Sequence, residues 1–255
     1  MGIGLDDGSG SSKTEIALRV PLMIASTCVN LLIADFSNQR LPDAIVEDGV
    51  NKPWRPMPSK RLSPTEARKG LKVVIVTALL LDWTLGNYTA AASMAVFCWL
   101  HNDLAGSMGI WQRNALNTAA IASGGCGGLM VLFGGELPTK AFHWAVITGA
   151  AVMTTIHTQD LPDMEGDRAR GRMTVPLLWG DVTTRIGLAI AIPFWSAVCP
   201  LFWGASLLGW AASLGTGLIL AIMILQQRGQ EWDEICWKSW CGWIVLIFML
   251  PVFGL

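Results

Sequence analysis

Eight apolar stretches run through this chain of 255 residues, and they constrain its fold more than any other feature. They cover 16–34, 72–86, 88–100, 115–134, 140–157, 185–203, 206–226 and 237–254. Backbone polar groups inside lipid need internal hydrogen bonds, so only helices and closed barrels cross a membrane. The stretches are uninterrupted and do not alternate with polar residues, which favours helices. The sequence therefore predicts an all-α, polytopic transmembrane bundle of about eight spans.

Composition agrees with a membrane protein. The chain is 52% hydrophobic and 15% charged, whereas charged residues make up about a quarter of a soluble domain. The second and third stretches are shorter than the roughly 20 residues that a span needs. Ser63 and Glu66 form a capping-box pattern that predicts a helix start near Pro64, and Gly86-Asn87 predicts a turn before the next helix.

The basic residues predict an orientation. Fifteen of the 18 lysines and arginines fall on the side that carries the loops after the first, third, fifth and seventh stretches. Such loops are usually cytosolic, so we expect a multi-pass protein, in the endoplasmic reticulum, with its long loops in the cytosol. Residues 1–15 are polar and predict a disordered tail, and residues 16–255 predict one membrane domain.

An acidic segment follows the fifth stretch on this basic side. Asp160, Asp163 and Asp167 stand at i, i+3 and i+7, which places them on one helical face. Three carboxylates so close repel one another unless a cation binds them. Arg168, Arg170 and Arg172 follow and supply positive charge, and Gly166 allows the backbone to bend toward a ligand. Magnesium commonly bridges carboxylates to phosphates, and arginine binds the remaining phosphate oxygens. A solvated loop whose acids and arginines neutralise one another is the alternative.

A second acidic segment follows the first stretch on the same side. It contains Asp35 and Asn38, then Glu47 and Asp48, and then the basic residues Lys52 and Arg55. Carboxylate and amide oxygens suit Mg2+. The repetition of acids followed by bases predicts that the two segments form one site for a metal ion and a diphosphate.

The two segments resemble the paired Asp-rich motifs of the UbiA superfamily of intramembrane prenyltransferases. The resemblance rests on 51–59 (NKPWRPMPS) and 163–176 (DMEGDRARGRMTVP) and extends from the first stretch to the eighth. Within that family, the pattern of Asp35, Asn38, Glu47 and Asp48 is similar to a fungal branch that includes membrane-bound terpene cyclases of secondary metabolism. The segment 101–107 (HNDLAGS) is similar to a stretch of the same branch.

The resemblance implies a helical bundle with a central cavity open to the cytosolic side, dependence on Mg2+, and an isoprenyl diphosphate substrate. It implies metal ligands at Asp35, Asn38, Glu47, Asp48, Asp160, Asp163 and Asp167, of which Asp35, Asn38, Asp160, Asp163 and Asp167 are also the expected catalytic residues. It implies diphosphate contacts at Lys52, Arg55, Arg168, Arg172, Asn102 and Asp103. Family members usually have nine spans, so we expect one further span before the first stretch.

The sequence leaves three functions open. An enzyme of this kind either cyclises a farnesyl or geranylgeranyl diphosphate or transfers its prenyl group to an aromatic or other small acceptor. The Tyr/Lys motif common in aromatic prenyltransferases is not evident, which favours a terpene cyclase. The alternative of another class is a non-catalytic membrane carrier or an inactive fragment. A carrier would place its charges near the midplane, whereas these charges cluster on one side. Membrane lipid is an expected partner, and nucleic acid is not.

Overall fold

The chain folds into a helical bundle. The computed structural model describes residues 13–253, so residues 1–12 of the predicted tail lie outside them, whereas Lys13–Glu15 already belong to the first helix. The helices are α1 (Lys13–Gln39), α2 (Pro42–Asn51), α3 (Pro64–Leu85), α4 (Tyr88–Asn102), α5 (Ile110–Leu132), α6 (Thr139–Thr155), α7 (Asp160–Arg170), α8 (Val175–Trp179), α9 (Asp181–Trp203), α10 (Leu207–Leu225) and α11 (Gln230–Met249). Residues 13–253 contain no β-strand, so the all-α prediction is confirmed.

The eight apolar stretches overlap, in chain order, helices α1, α3, α4, α5, α6, α9, α10 and α11. Within residues 13–253, five helical segments are long and apolar enough to cross a membrane, namely Thr14–Gln39, Ile110–Leu132, Asp181–Trp203, Leu207–Leu225 and Gln230–Phe253. Helices α4 and α6 have 15 and 17 residues, which is short for a span of roughly 20. The number of eight spans therefore stays a prediction.

The hairpin of α3 and α4 forms where the sequence predicts it. The Ser63 hydroxyl accepts the Glu66 amide hydrogen at 3.2 Å, and Glu66 Oε2 accepts the Ser63 amide hydrogen at 2.9 Å. This reciprocal pair satisfies free amides at the start of α3. At the other end, Gly86 ends α3 with φ of +79°, a conformation that glycine adopts without strain. The capping box and the turn are both confirmed.

The long helices divide into two halves. Helices α1, α3, α4 and α5 pack together, with Ile33, Ala78 and Met94 in the core of this half. Helices α6, α9, α10 and α11 form the second half around a larger core that includes Ile192 and Ile247. The halves meet where α5 packs on α6 and where α2 packs on α7. The acidic segments lie at this second contact.

A cavity of about 530 Å³ lies between α4, α5 and α6. Its walls are mostly apolar, with a few hydroxyl groups such as those of Ser93 and Thr118. The expected central cavity with an opening toward the cytosol stays a prediction.

Candidate functional site

The two acidic segments meet although more than a hundred residues separate them. Asn51, at the end of α2, donates from Nδ2 to the Asp163 carbonyl oxygen at 3.1 Å and accepts the Gly166 amide hydrogen at 3.0 Å. Next to it, Lys52 Nζ lies 2.8 and 2.6 Å from the two carboxylate oxygens of Asp163. One asparagine therefore binds two backbone groups of α7 and sets the register between the segments.

The acidic face of α7 points into the protein. The α-helix begins at Asp160, directly after the 3-10 turn Ile156–Gln159, so Pro162 lies in the first turn, where proline is tolerated. The side chains of Asp160 and Asp167 are fully buried, and that of Asp163 is 15% exposed. Asp160, Asp163 and Asp167 thus lie on one helix, as their i, i+3, i+7 spacing predicted.

Arg113 reaches this face from the first turn of α5. Its Nη1 lies 2.5 Å from Asp160 Oδ1, and both side chains are buried. Arg113 is one of the fifteen basic residues on the predicted cytosolic side, and it was not predicted as a site residue. An arginine at the start of an apolar helix was the available signal, because such a charge in a membrane protein usually has a specific partner.

Glu47 of α2 lies between two arginines of the second segment. Arg170 Nη1 is 2.7 Å from Glu47 Oε2, and Arg172 Nη1 is 3.0 Å from Glu47 Oε1 and 3.0 Å from Asp167 Oδ1. Arg170 also pairs with Asp43 at 2.7 Å. Arg172 was predicted as a diphosphate contact. Arg170 was predicted to supply positive charge beside the acids but not to contact diphosphate, and Asp43 was missed.

The structure places Arg168 differently from the prediction. Its side chain is exposed and makes no ion pair with any residue between 13 and 253. Arg170, two residues later, is buried. Residues two apart on a helix point in nearly opposite directions, so the inward arginine of α7 is Arg170.

Three further predicted diphosphate contacts already have protein partners. Asp103 accepts both of its hydrogen bonds from Arg40, at 2.7 and 2.5 Å. The Asn102 side chain donates to the Cys98 carbonyl oxygen at 2.9 Å, within α4. Arg55 Nη1 binds Asp48 Oδ1 at 2.7 Å. A carboxylate such as Asp103 repels phosphate, so its contact with Arg40 fits an anchor for the loop after α4 better than a diphosphate contact.

Asp35 and Asn38 are not brought into this network. On α1 the inward side chains include those of Ile33 and Ser37, which are buried, whereas Asp35 is exposed and Asn38 is half-buried. Within the described part of the chain, neither residue forms an ion pair or a side-chain hydrogen bond with the acids of α2 or α7. Their predicted roles as ligands therefore rest on the sequence resemblance alone.

In this site, burial raises the pKa of the carboxyl groups, and the neighbouring arginines lower it. Burial raises the pKa of Asp160 although Arg113 opposes it, and burial raises the pKa of Asp167 to about 7. Burial also raises the pKa of Asp48, in spite of Arg55. Burial would raise the pKa of Glu47 too, but Arg172 and Arg170 outweigh it and lower that pKa. Asp48, Asp160 and Asp167 are therefore the carboxylates that a bound cation would stabilise most.

The same three carboxylates have free oxygens. Asp48 Oδ2, Asp160 Oδ2 and Asp167 Oδ2 are buried and without a hydrogen-bond partner. In residues 13–253, no group of three His, Cys, Asp or Glu side chains is gathered closely enough to enclose a metal ion. Magnesium keeps several waters and is usually bound by one or two carboxylates together with substrate phosphates. The residues present therefore fit Mg2+ as an oxygen donor set.

Gly166 has a different function from the predicted one. It lies inside α7, and a Cβ atom at this position would collide with the Asn51 side chain. The glycine therefore allows the two acidic segments to approach, and α7 does not bend there toward a ligand.

Comparisons with known proteins agree with the helical fold. The model of the UbiA prenyltransferase family matches residues 22–250. Somaliensene A/B synthase of Streptomyces somaliensis is 30% identical over 82% of this chain and 72% of its own. Fumagillin beta-trans-bergamotene synthase of Aspergillus fumigatus is 27% identical over 95% of this chain and 90% of its own. The fold matches a UbiA homolog from Archaeoglobus fulgidus bound to GPP and Mg2+, with a TM-score of 0.60 and 16% identity over 98% of this chain and 93% of that one. This integral membrane protein therefore belongs to the UbiA prenyltransferase family.

Proposed function

We propose that this protein is a Mg2+-dependent enzyme that ionises an isoprenyl diphosphate of the farnesyl or geranylgeranyl class. The observation that carries the proposal is the meeting of α2 and α7, where buried arginines and buried carboxylates with free oxygens share one site. Diphosphate needs both charges, because cations neutralise its oxygens and carboxylates hold the metal. The solved relative bound to GPP and Mg2+ supports the same ligand class.

One or two of Asp48, Asp160 and Asp167 would hold the metal through their unpartnered oxygens, and waters and the substrate phosphates would supply the remaining ligands. Bound Mg2+ would act as a Lewis acid on the departing diphosphate. Glu47 and Asp163 are paired with basic residues. They would position those residues before the substrate binds. The sequence resemblance adds Asp35 and Asn38 as candidate ligands.

The basic residues have a separate function in this proposal. Arg113, Arg170 and Arg172 are buried at the site, and guanidinium groups bind phosphate oxygens with forked hydrogen bonds. Arriving diphosphate would compete with the carboxylates for these arginines, and the released carboxylates would be free to bind the metal. Lys52 and Arg55, at the rim of the site, are each held by one carboxylate. This exchange of partners couples metal binding to diphosphate binding.

Ionisation leaves an allylic carbocation that must be kept from water. The proposed product of this protein is a terpene, formed when a double bond of the same substrate captures the cation. Two relatives named as synthases of terpenes, matched over 82% and 95% of this chain, favour this outcome. Transfer of the prenyl group to an aromatic or other small acceptor is the second candidate, and the prenyltransferase family name supports it.

The test is turnover by the purified protein in detergent or lipid. It would be incubated with farnesyl or geranylgeranyl diphosphate, with Mg2+ or EDTA, and without an acceptor. We expect a hydrocarbon or alcohol product and release of diphosphate only with Mg2+. Product that forms only after an acceptor is added would identify a transferase. No turnover under either condition, by a folded protein, would favour the non-catalytic reading.

A variant pair connects turnover to the site. Asp167→Asn keeps the size of a fully buried side chain and removes its charge, so we expect a loss of at least about 100-fold in turnover. Asp181→Asn, at the start of α9 and outside the site, is the control and should stay within about twofold of wild type. Equal activity of the two variants would contradict the metal-site proposal.

The orientation belongs to the proposal as well. The site lies at the end of the bundle that carries most of the lysines and arginines, which supports a cytosolic location for it. A membrane of the endoplasmic reticulum is the proposed location. Cysteine labelling of Thr65→Cys, in the exposed first turn of α3, with a membrane-impermeant reagent on intact and permeabilised vesicles would test the orientation.

A further inference from the structure

A second polar cluster lies at the opposite end of the first half of the bundle. Asp82 of α3 is fully buried, and Ser26 and Asn30 of α1 and Asn87 at the α3–α4 turn surround it. Ser26 Oγ donates to Asp82 Oδ1 at 2.6 Å, and Asn30 Nδ2 donates to Asp82 Oδ2 at 2.6 Å. Asn87 Nδ2 donates to Ser26 Oγ at 3.1 Å. The cluster shares no residue with the candidate active site.

The direction of these hydrogen bonds makes Asp82 an acceptor on both oxygens. Ser26 Oγ accepts from Asn87, so its own hydrogen is available for Asp82 Oδ1. Asn30 supplies the hydrogen for the other carboxylate oxygen. Both donors are neutral, and no lysine or arginine between residues 13 and 253 pairs with Asp82. An ionised carboxylate inside a membrane bundle is costly without a counter-charge.

A small cavity adjoins the cluster, and residues with unpartnered side-chain oxygens line it. It measures about 30 Å³ and lies between α1, α4 and α5. Asn30 and Asn87 line it, and each has a buried Oδ1 without a hydrogen-bond partner. The asparagines are 8% and 1% exposed. Ser26, Thr27 and Ser123 add hydroxyl groups to the walls, so the polar atoms that remain free are oxygens.

We propose that this cavity binds one monovalent cation, with Na+ as the best match. Hard oxygen donors and one nearby negative charge suit a singly charged ion. Magnesium is a poor match, because it requires near-octahedral geometry and retains several waters, for which a cavity of about 30 Å³ is too small. A water molecule alone could donate to both asparagine oxygens, but it would supply no counter-charge for a carboxylate at Asp82.

Gly127 of α5 helps to form the cavity. It lines the cavity wall, and a Cβ atom at this position would lie 2.8 Å from Ala90 Cβ and 3.5 Å from Asn87 Nδ2. Glycine thus lets α5 approach α4 closely beside the two asparagines. A bound cation would join α1, the α3–α4 turn and α5 through the oxygens that line the cavity, so its expected effect is on the stability of this half.

The experiment is thermal unfolding of the full chain, purified without Na+, in NaCl or choline chloride at equal ionic strength. A ligand that binds only the folded state at about ten times its Kd should raise Tm by about 3–6 °C for a chain of this size. Asp82→Asn should lose this Na+-dependent rise, and Asp181→Asn should keep it. Equal Tm values of wild type in the two salts would overturn the proposal. A cavity that holds only water, or a protonated Asp82, would give this result.

A second variant covers the case in which Asp82→Asn does not fold. Asn87→Ala removes one free oxygen and leaves the carboxylate in place, so the Na+ concentration for half-maximal stabilisation should rise at least about tenfold. An unchanged midpoint would overturn the assignment of the cavity. A rise of equal size in wild type, Asp82→Asn and Asp181→Asn would indicate a general salt effect and would also overturn it.

Discussion

Arg113 Nη1 lies 2.5 Å from Asp160 Oδ1, and this buried pair joins the start of α5 to the start of α7. The two residues belong to different halves of the bundle, so the pair crosses the contact between the halves at the proposed diphosphate site. A buried pair of this kind can serve the fold, the chemistry or both. Double substitutions separate these contributions.

The first prediction concerns this pair. Arg113→Met should lower the free energy of unfolding by about 3–5 kcal/mol, because it leaves the buried Asp160 carboxylate uncompensated. The double variant Arg113→Met/Asp160→Leu should regain most of that stability and no turnover, because both proposed ligand contacts are lost. Thermal unfolding and diphosphate release measure the two effects. Recovery of turnover in the double variant would show that the pair serves the fold alone.

The second prediction concerns the contact between Asn51 and Gly166. Gly166→Ala places a Cβ atom on the Asn51 side chain, and such overpacking typically costs about 1–3 kcal/mol. We expect a lower Tm and at least about tenfold slower turnover, since α2 and α7 must separate. Gly187→Ala in α9 is the matched control, because nothing lies within 4 Å of its Cβ, and it should be neutral or slightly stabilising. Equal effects of the two substitutions would argue against the contact as the cause.

The third prediction distinguishes two arginines of α7. Arg170→Ala should raise KM for the isoprenyl diphosphate at least about tenfold and lower Tm, because Arg170 is buried between Asp43 and Glu47. Arg168→Ala should stay within about twofold of wild type, because its side chain is exposed. Steady-state kinetics on both variants give the comparison. A larger effect of Arg168→Ala on KM would restore the prediction made from the sequence.

The fourth prediction concerns coupling between metal and anion. In the proposed exchange of partners, arginines that bind diphosphate would release carboxylates for Mg2+. Mg2+ and inorganic diphosphate together should then raise Tm by more than the sum of their separate effects. The 13 tryptophans provide the fluorescence signal for such unfolding curves. Asp48→Asn removes the negative charge of a carboxylate that has a free oxygen and should reduce the extra rise. Strictly additive shifts in wild type would contradict the exchange of partners.

Local patterns predicted the parts of this fold that depend on neighbouring residues. The capping box of Ser63 and Glu66, the turn at Gly86 and the single acidic face of α7 are all present. Each depends on residues within two turns of one another, and these interactions are encoded by spacing alone.

Contacts between distant segments were harder to predict. The partner of Asp160 is 47 residues away, and the partners of Glu47 are 123 and 125 residues away. With 18 lysines and arginines in the chain, charge alone could not select Arg113 or Arg170. The direction of Arg168 depended on where α7 begins and which of its faces α2 covers. The reason for Gly166 became visible only with Asn51 beside it.

The two halves touch along α5 and α6 and again at α2 and α7. Beside the first contact, the cavity between α4, α5 and α6 is lined mostly by apolar residues. The second contact instead brings buried acids and arginines together. A substrate with an apolar tail and a charged head, as proposed, would therefore meet both kinds of surface where the halves join.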